Sequence, residues 1–361
     1  MTPKRLSRRQ FLTRTGLGGA GLILAPSILA ACSNGDDTGS SSSGSGSASV
    51  AAEPQDVKFR LNWVPAVDFG GWYVADSKGY FTDAGINIDI APGGPNTPEP
   101  VQVLAGGAAQ VALVTDLLTV SDANKQGSDL VLWGAKLQQS PLGLLSLASN
   151  PIRTAEEMVG RTLGGPEGDQ TFIDAVLTLN GLQAGDYTFV PTGFDPAPVV
   201  NGKVEAMTCY VTNQPIALDL QNIDNVAVTF ADMGMPSYAD MLCADRTYLQ
   251  DNHDLMVNFM KASIQGWDFS NASDANLKEM THLTLDEYGG ADAGQEFQQQ
   301  YLAAQAQVPL MQSDVGTFWI DMDQLAGPMY AALKATGREN LPDPETIVDM
   351  SILEEVYPQS S

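Results

Sequence analysis

Trp63 and Asp68 lie on either side of Pro65, in the segment LNWVPAVDFGG, and their side chains suit the binding of a flat, nitrogen-containing ring. The indole face of Trp63 could stack on such a ring, and the Asp68 carboxylate could accept hydrogen bonds from an amino group. Stacking contributes only about 0.5–1.5 kcal/mol beyond the burial of area, so a site needs further polar contacts. A core tryptophan at the end of a strand is the alternative interpretation of Trp63.

Three further positions could provide those polar contacts. Gly94 precedes a predicted helix, so backbone N–H groups in its turn would be free to bind a ligand oxygen. Thr115, followed by Asp116, offers a second helix start. Both positions could instead be ordinary helix caps. Gln138 can donate and accept hydrogen bonds, which suits the mixed edges of a neutral heterocycle.

Alternating strands and helices would bring these residues together. Residues 57–63 form a β-rich run, residues 72–80 repeat apolar side chains at helical spacing, and residues 86–90 alternate as a strand. A unit this compact predicts parallel strands joined by a right-handed crossover. The turn at residues 63–71 then lies at the carboxyl end of a strand, where open α/β sheets bind ligands.

Several motifs in this region resemble those of a known protein family. They are Leu61-x-Trp63-x-Pro65, Phe69-Gly70, Tyr73-Val74-Ala75, Gly79-Tyr80-Phe81 and Gly85. Over residues 57–270 the chain resembles the solute-binding proteins of ABC importers, in the group that handles thiamine-pyrimidine precursors, riboflavin, nitrate, sulfonates and taurine. It looks most similar to the pyrimidine-precursor and riboflavin branches of that group.

The resemblance implies an α/β fold of the periplasmic-binding-protein type II class, a two-lobed clamshell with two interlobe crossings and the ligand between the lobes. A second series of strands and helices, which starts at Ile152, supports two lobes. We expect residues 57–144 and 245–361 to form lobe 1, with the C-terminal helices packed on it, and residues 145–244 to form lobe 2. One continuous doubly wound sheet is the alternative, but it does not explain why a second series of strands and helices starts at Ile152.

Three residues of the expected lobe 2 match positions that line the cleft in this group. They are Asp195 in a Gly-Phe-Asp motif, and Tyr210 and Asn213 ahead of Pro215. Where the group usually has Asn-Glu-Pro, this chain has Asn-Gln-Pro, with Gln214 in the middle. That departure removes a possible carboxylate and weakens the transfer of ligand identity from relatives that use it.

The N-terminal residues indicate export and membrane anchoring. The sequence SRRQFL at residues 7–12 matches a twin-arginine export signal, and LAAC at residues 29–32 looks like a lipoprotein cleavage box. We expect residues 1–31 to be a signal peptide, Cys32 to become the lipidated N-terminus, and residues 32–56 to be a flexible Ser/Gly tether. The domain would thus lie outside the cytoplasm, anchored to the cell membrane. Ordinary secretory cleavage that leaves the cysteine unmodified is the alternative.

The chain is strongly acidic, with 43 Asp and Glu residues against 18 Lys and Arg residues. Such a charge repels nucleic acid and disfavours the long-range capture of a multiply charged anion, although it could serve solubility alone. Asp68, Asp116 and Asp195 would also oppose an anion in the expected cleft. A neutral or weakly cationic ring, such as an aminopyrimidine or a flavin, is therefore favoured, and a nitrate-, sulfonate- or taurine-type anion is the alternative.

Residues typical of catalysis are sparse. His253 and His282 fall on helices in the region expected to be structural, and no nucleophile elbow, phosphate-binding loop or zinc-type Cys/His spacing occurs. The thiamine-pyrimidine synthases that share the expected fold carry a cysteine-rich motif and an active-site histidine, and we find neither. We therefore expect a monomeric binding protein, without metal or cofactor and not an enzyme, that delivers its small-molecule ligand to an ABC permease. A pyrimidine-synthase-like enzyme is the distant alternative.

Overall fold

The computed structural model describes residues 53–338 and 340–358. The expected signal peptide, Cys32 and most of the expected tether lie outside these ranges. The tether does not extend to residue 56, because the first strand already begins at Gln55. No helix within the described ranges has both the length and the apolar character that crossing a bilayer requires.

Ten β-strands in the described residues form two separate sheets. The strands are β1 (Gln55–Arg60), β2 (Ile86–Ala91), β3 (Val111–Val114), β4 (Leu130–Leu137), β5 (Leu142–Leu147), β6 (Thr162–Gly165), β7 (Thr188–Pro191), β8 (Ala206–Tyr210), β9 (Asn225–Thr229) and β10 (Ala239–Asp245). The first sheet has the order β2-β1-β3-β10-β4, and the second has the order β7-β6-β8-β5-β9. The predicted two-lobed α/β fold is confirmed, and the alternative of one continuous sheet is wrong.

Fifteen α-helices in the same ranges surround the sheets. They are α1 (Gly70–Ser77), α2 (Tyr80–Asp83), α3 (Pro100–Ala105), α4 (Leu117–Lys125), α5 (Gln170–Leu179), α6 (Ala197–Val200), α7 (Gln214–Asp219), α8 (Arg246–Asp251), α9 (His253–Asn271), α10 (Asp274–Glu287), α11 (Phe297–Gln307), α12 (Met322–Gln324), α13 (Tyr330–Ala335), α14 (Pro344–Ile347) and α15 (Ser351–Val356). A π-helical turn, Leu325–Met329, joins α12 to α13.

The first sheet contains the predicted parallel unit. Strand β1 pairs in parallel with β2 and with β3, while β10 runs antiparallel between β3 and β4. Parallel pairing of β1 with β2 across α1 and α2 confirms the prediction from the local pattern. The turn after β1, which carries Trp63 and Asp68, therefore lies at the carboxyl edge of the sheet.

The chain passes between the sheets twice, through residues 138–141 and through residues 230–238. The expected lobe boundaries need two corrections. Strand β5 begins at Leu142, ahead of the expected boundary at residue 145, and β10 lies in the first sheet although it falls almost wholly within the residues expected for lobe 2. Strand β10 carries an apolar run with both faces buried, which fits the centre of either sheet, so its local pattern does not assign it.

Stacked aromatic side chains form the core of lobe 1. Phe59 on β1 lies edge-to-face with Trp72 on α1, with ring centroids 5.1 Å apart. Trp72 in turn meets Trp267 on α9 at 5.4 Å. All three side chains are fully buried. Each such pair contributes about 0.5–1.5 kcal/mol beyond the free energy gained by burying its surface. The pairs therefore hold α1, and the turn before it, against the sheet.

The C-terminal helices do not all pack on lobe 1, contrary to the expectation. Helix α9 does, but α13 contributes side chains to the cores of both lobes. Its Tyr330 and Leu333 belong to the core of lobe 1, whereas Ala332 is fully buried in the core of lobe 2. Helix α13 follows directly on the π-helical turn, which contains Pro328. It therefore forms a third link between the lobes, in addition to the two chain crossings.

We expect Gly266→Ala to destabilise the protein by about 1–3 kcal/mol, the usual cost of overpacking a tight contact. Gly266 on α9 faces Gly71 on α1, and an added methyl group would overlap the Gly71 carbonyl oxygen and the Ala75 side chain. Urea denaturation followed by circular dichroism measures the change. Gly327→Ala is the control, because a methyl group there meets no atom within 4 Å. Equal unfolding midpoints for the two variants would contradict the prediction.

Candidate functional site

Aromatic side chains from the two lobes meet across the cleft. Trp63, in the turn after β1, is 42% exposed, and Phe194, between β7 and α6, is 60% exposed. Their ring centroids are 5.9 Å apart, with the planes inclined by 71°. The interpretation of Trp63 as a core tryptophan is therefore wrong. Large apolar side chains this exposed in a cleft between lobes are available to a ligand.

A buried lysine organises the base of the cleft. Lys136, near the end of β4, is fully buried, and its Nζ lies 2.6 Å from Oδ2 of Asp240 on β10. The same Nζ donates to the backbone carbonyl of Asp68 at 2.7 Å. Asn62 completes the network by donating its Nδ2 to Oδ1 of Asp240 at 2.9 Å. The network thus joins the turn that carries Trp63 to both crossing strands.

Sequence reasoning missed the roles of Lys136 and Asp240. A signal for Lys136 was present, because it is an isolated charge in β4, whose other residues are apolar and buried. Lysine is almost never fully buried without a partner, so this pattern indicates a nearby carboxylate. The partner itself lies about a hundred residues further along the chain, and nothing in the local pattern identifies it.

Negative charges in both lobes act on the Tyr210 hydroxyl. The Tyr210 ring is partly exposed, but desolvation of its hydroxyl raises the pKa of Tyr210 above its usual range, and the negative charges raise it further, in the order Asp240, Asp116, Asp169 and Asp68. Asp169 belongs to lobe 2, and the other three belong to lobe 1. The electrostatic environment of Tyr210 is therefore negative.

Asp68 lies in the same turn as Trp63. Burial raises the pKa of Asp68, while Lys136 lowers it in part and Asp240 adds to the increase. Burial likewise raises the pKa of Asp169, although the Thr208 hydroxyl donates to it at 2.6 Å. A ligand cation or amino group beside Asp68 would stabilise its ionised form, which the protein alone leaves poorly solvated.

Gly94 and Thr115 lie beside the cleft without the free helix starts that the sequence predicted. The carbonyl of Gly94 accepts hydrogen bonds from the backbone N–H and the hydroxyl of Thr97, and helix α3 begins only at Pro100. The argument from a helix start is therefore wrong for Gly94. Thr115 is exposed, and its neighbour Asp116 caps α4 by accepting from the Thr119 N–H at 3.0 Å.

Gln138 and Asp195 direct their polar atoms to the backbone. The side-chain amide of Gln138 donates to the carbonyls of Ala135 and Trp319, which holds the first crossing in place. The exposed Asp195 accepts from the Ala197 N–H, at the start of α6, at 2.8 Å. Of the two, Asp195 remains next to the cleft, because it follows Phe194 directly.

Gln214 explains the departure from the Asn-Glu-Pro pattern. It is buried, accepts from the Tyr210 N–H at 2.9 Å and donates to the Phe194 carbonyl at 3.2 Å. An ionised glutamate could accept but not donate, so only the amide serves both partners. Asn213 is exposed and accepts at 3.1 Å from Gln299 of α11, a hydrogen bond across the lobes. Sequence reasoning missed Phe194 and this role of Gln214.

Other reactive groups in the described residues lie apart from this cleft. Cys209 on β8 and Cys243 on β10 belong to different sheets and are free, buried thiols. His253 is the first residue of α9, and its Nδ1 lies 3.7 Å from Oε2 of Glu355. His282 lies on α10. Within the described ranges, no group of three or more His, Cys, Asp or Glu side chains could hold a metal ion.

Relatives of the chain include named binding proteins. A formylaminopyrimidine-binding protein of Halalkalibacterium halodurans is 28% identical over 222 residues, which cover 59% of this chain and 66% of that protein, just under two thirds of its length. A riboflavin-binding protein of Chloroflexus aurantiacus is 24% identical over 250 residues, which cover 68% of this chain and 71% of that protein. 4-Amino-5-hydroxymethyl-2-methylpyrimidine phosphate synthases of yeasts also match, at weaker significance.

Among solved structures, the periplasmic aliphatic sulphonate binding protein SsuA of Escherichia coli is similar, with a TM-score of 0.64. The two chains are 14% identical, and the match covers 82% of this chain and 93% of that one. The likeness concerns the fold, and it confirms the predicted periplasmic-binding-protein type II class. The sequence profile described as NMT1/THI5 like matches residues 66–275. Because this match covers more than half of the 361 residues, the protein belongs to the NMT1/THI5-like family.

Proposed function

We propose that this protein is the solute-binding component of an ABC importer and that it binds a planar nitrogen heterocycle between its lobes. The observation that carries the proposal is the exposed pair Trp63 and Phe194, two aromatic rings from opposite lobes that meet edge-to-face. Tyr210 adds a third partly exposed ring at the end of β8. The relatives named for binding a formylaminopyrimidine and riboflavin support the same ligand class.

The charge of the cleft favours a neutral or weakly cationic ring over an anion. A nitrate or sulfonate needs a cation or several converging N–H donors. Lys136 is the buried cation at this site, and its Nζ is already paired with Asp240 and the Asp68 carbonyl. The negative charges that act on Tyr210 would also oppose an anion. A ring with amino or imino donors would instead find acceptors there.

The N-terminal residues support an extracytoplasmic location for this binding protein. Export by the twin-arginine route and lipidation at Cys32 would hold the domain outside the cytoplasm, on a Ser/Gly tether above the membrane. A monomer on such a tether can approach the outer face of an ABC permease and release its ligand there.

A pyrimidine-synthase-like enzyme is the second candidate, because such synthases are among the relatives. Against it, His253 and His282 lie on α9 and α10, where their near carboxylates are Glu355 and Asp286. Neither histidine belongs to the cleft, so a general acid or base of that type is not placed beside a bound ring.

Replacing the Asp68 carboxylate should weaken ligand binding. We expect Asp68→Asn to reduce affinity for the aminopyrimidine or flavin that binds by about tenfold or more, because a hydrogen bond to a charged group contributes roughly 1.5–3 kcal/mol. Isothermal titration calorimetry measures the change. Asp89→Asn on β2 is the matched control, because that carboxylate is exposed in the same lobe. Unchanged affinity in Asp68→Asn would remove this residue from the site.

The affinity should also depend on pH in a direction set by Asp68. Its carboxyl makes the strong, charge-assisted hydrogen bond to a ligand donor only when ionised, and burial raises its pKa above the usual value of about 3.9. We therefore expect full affinity at neutral pH and a loss as the pH falls through the raised pKa. Titrating wild type and Asp68→Asn with the same ligand separates this effect from titration of the ligand itself. The same fall in both proteins would show that Asp68 is not responsible.

A further inference from the structure

Two buried glutamines of α11 hold the backbone of the turn after β1. The side-chain carbonyl of Gln300 accepts from the Val67 N–H at 3.1 Å, and the side-chain amide of Gln307 donates to the Val67 carbonyl at 3.2 Å. The two glutamines are 8% and 2% exposed. Gln295, just ahead of the helix, donates to the Pro65 carbonyl at 2.8 Å. The turn that carries the exposed indole is therefore fixed to α11.

The residue before Gln300 connects the same helix to the other lobe. Gln299 donates its Nε2 to Oδ1 of Asn213 at 3.1 Å, and α11 packs against α7 of lobe 2. Asn213 occupies the N-cap position of α7, but its side chain accepts no hydrogen bond from that helix. An asparagine at this position usually caps its own helix. Here its side-chain oxygen is used by lobe 1, so a contact between the lobes takes the place of a local cap.

Gln214 continues this connection to the second aromatic ring. It follows Asn213 directly and donates its side-chain amide to the Phe194 carbonyl at 3.2 Å. In α11, the neighbours Gln299 and Gln300 likewise divide their contacts between lobe 2 and the turn after β1. Two pairs of adjacent residues thus link the turn of one aromatic ring to the loop of the other through side-chain amides.

The hydrogen bond between Gln299 and Asn213 requires the lobes to be close together. Its partners belong to different lobes and lie near the surface, so both amides return to water when the cleft opens. A contact made only in the closed arrangement shifts the equilibrium toward closure. It thereby raises the apparent affinity for a ligand that the closed cleft holds, without any contact to that ligand.

We propose that Gln299 and Asn213 are positioning residues of the binding site, whose hydrogen bond latches the lobes in the closed arrangement and slows the release of the bound ligand. The inference rests on the proposed function and deepens it. It also changes the role expected for Asn213, which stabilises closure through α11 and does not itself contact the ligand. Because the latch acts on the lobes, it slows dissociation by the same factor for every ligand that the closed cleft holds.

A double-mutant cycle on the purified protein tests the latch, with riboflavin and 4-amino-5-hydroxymethyl-2-methylpyrimidine as probes. We expect Gln299→Ala and Asn213→Ala each to increase the dissociation rate constant by about two- to tenfold, the loss typical of one neutral hydrogen bond. Stopped-flow tryptophan fluorescence measures this rate constant. The double variant should dissociate no faster than either single variant, because both substitutions remove the same bond.

Two results of this cycle would overturn the latch. If the two substitutions multiply each other's effects, the side chains act independently. If Asn213→Ala alone abolishes binding and Gln299→Ala leaves it unchanged, Asn213 belongs to the ligand contacts.

A rescue variant and a control separate positioning from a general effect on folding. Gln299→Lys combined with Asn213→Asp replaces the hydrogen bond by an ion pair and should dissociate more slowly than the double alanine variant. Gln298→Ala is the matched control, because Gln298 is an exposed neighbour on α11. Equal dissociation from Gln298→Ala and Gln299→Ala would contradict the inference. So would a lower unfolding midpoint of ligand-free Gln299→Ala with unchanged dissociation, since that indicates a structural role alone.

Failure of the latch and failure of the proposed function give different results. If a probe binds the wild type and the alanine variants leave its dissociation unchanged, the latch is wrong and the proposed function stands. If neither probe binds the wild type, the proposed function fails, and the latch fails with it.

Discussion

The buried ion pair between Lys136 and Asp240 is the interaction on which the rest of the cleft depends. Withdrawing the lysine from water costs several kcal/mol unless protein groups replace the solvent. The Asp240 carboxylate, the Asp68 carbonyl and the rings of Trp267 and Phe69 replace it. Because these partners come from β10, from α9 and from the turn after β1, solvating one ammonium group fixes the relative position of all three.

Asp240 maintains this pairing in an unfavourable backbone conformation. Its φ of 51° lies in the left-handed region, which is uncommon for residues other than glycine. A strained backbone conformation persists where several surrounding contacts hold the residue in place, and such residues are concentrated at functional sites. Asp240 lies where the chain returns from lobe 2, and its second oxygen holds Asn62, the neighbour of Trp63. The strained residue thus couples the crossing to the aromatic face.

The sequence predicted those elements whose structure is determined by neighbouring residues in the chain. The parallel unit around α1 follows from alternating periodicities, and the exposed turn at Trp63 follows from the end of β1. The sheet that β10 joins does not follow, because an apolar strand suits either core. Gln138 and Asp195 have the chemistry of ligand residues but are used by nearby backbone groups. Phe194 is held in place by Gln214, which donates to its backbone carbonyl from 20 residues further along the chain.

Helix α13 restricts the movements by which the cleft can open. Two chain crossings that lie side by side leave one lobe free both to bend and to twist relative to the other. Ala332, buried in the core of lobe 2, and Tyr330, in the core of lobe 1, add a third point of attachment on a short helix. A twisting movement would shear one of these packed contacts, whereas a rotation about an axis near α13 keeps both. We therefore expect the lobes to open mainly by one rotation, in which the rings of Trp63 and Phe194 separate and then return to the same relative position.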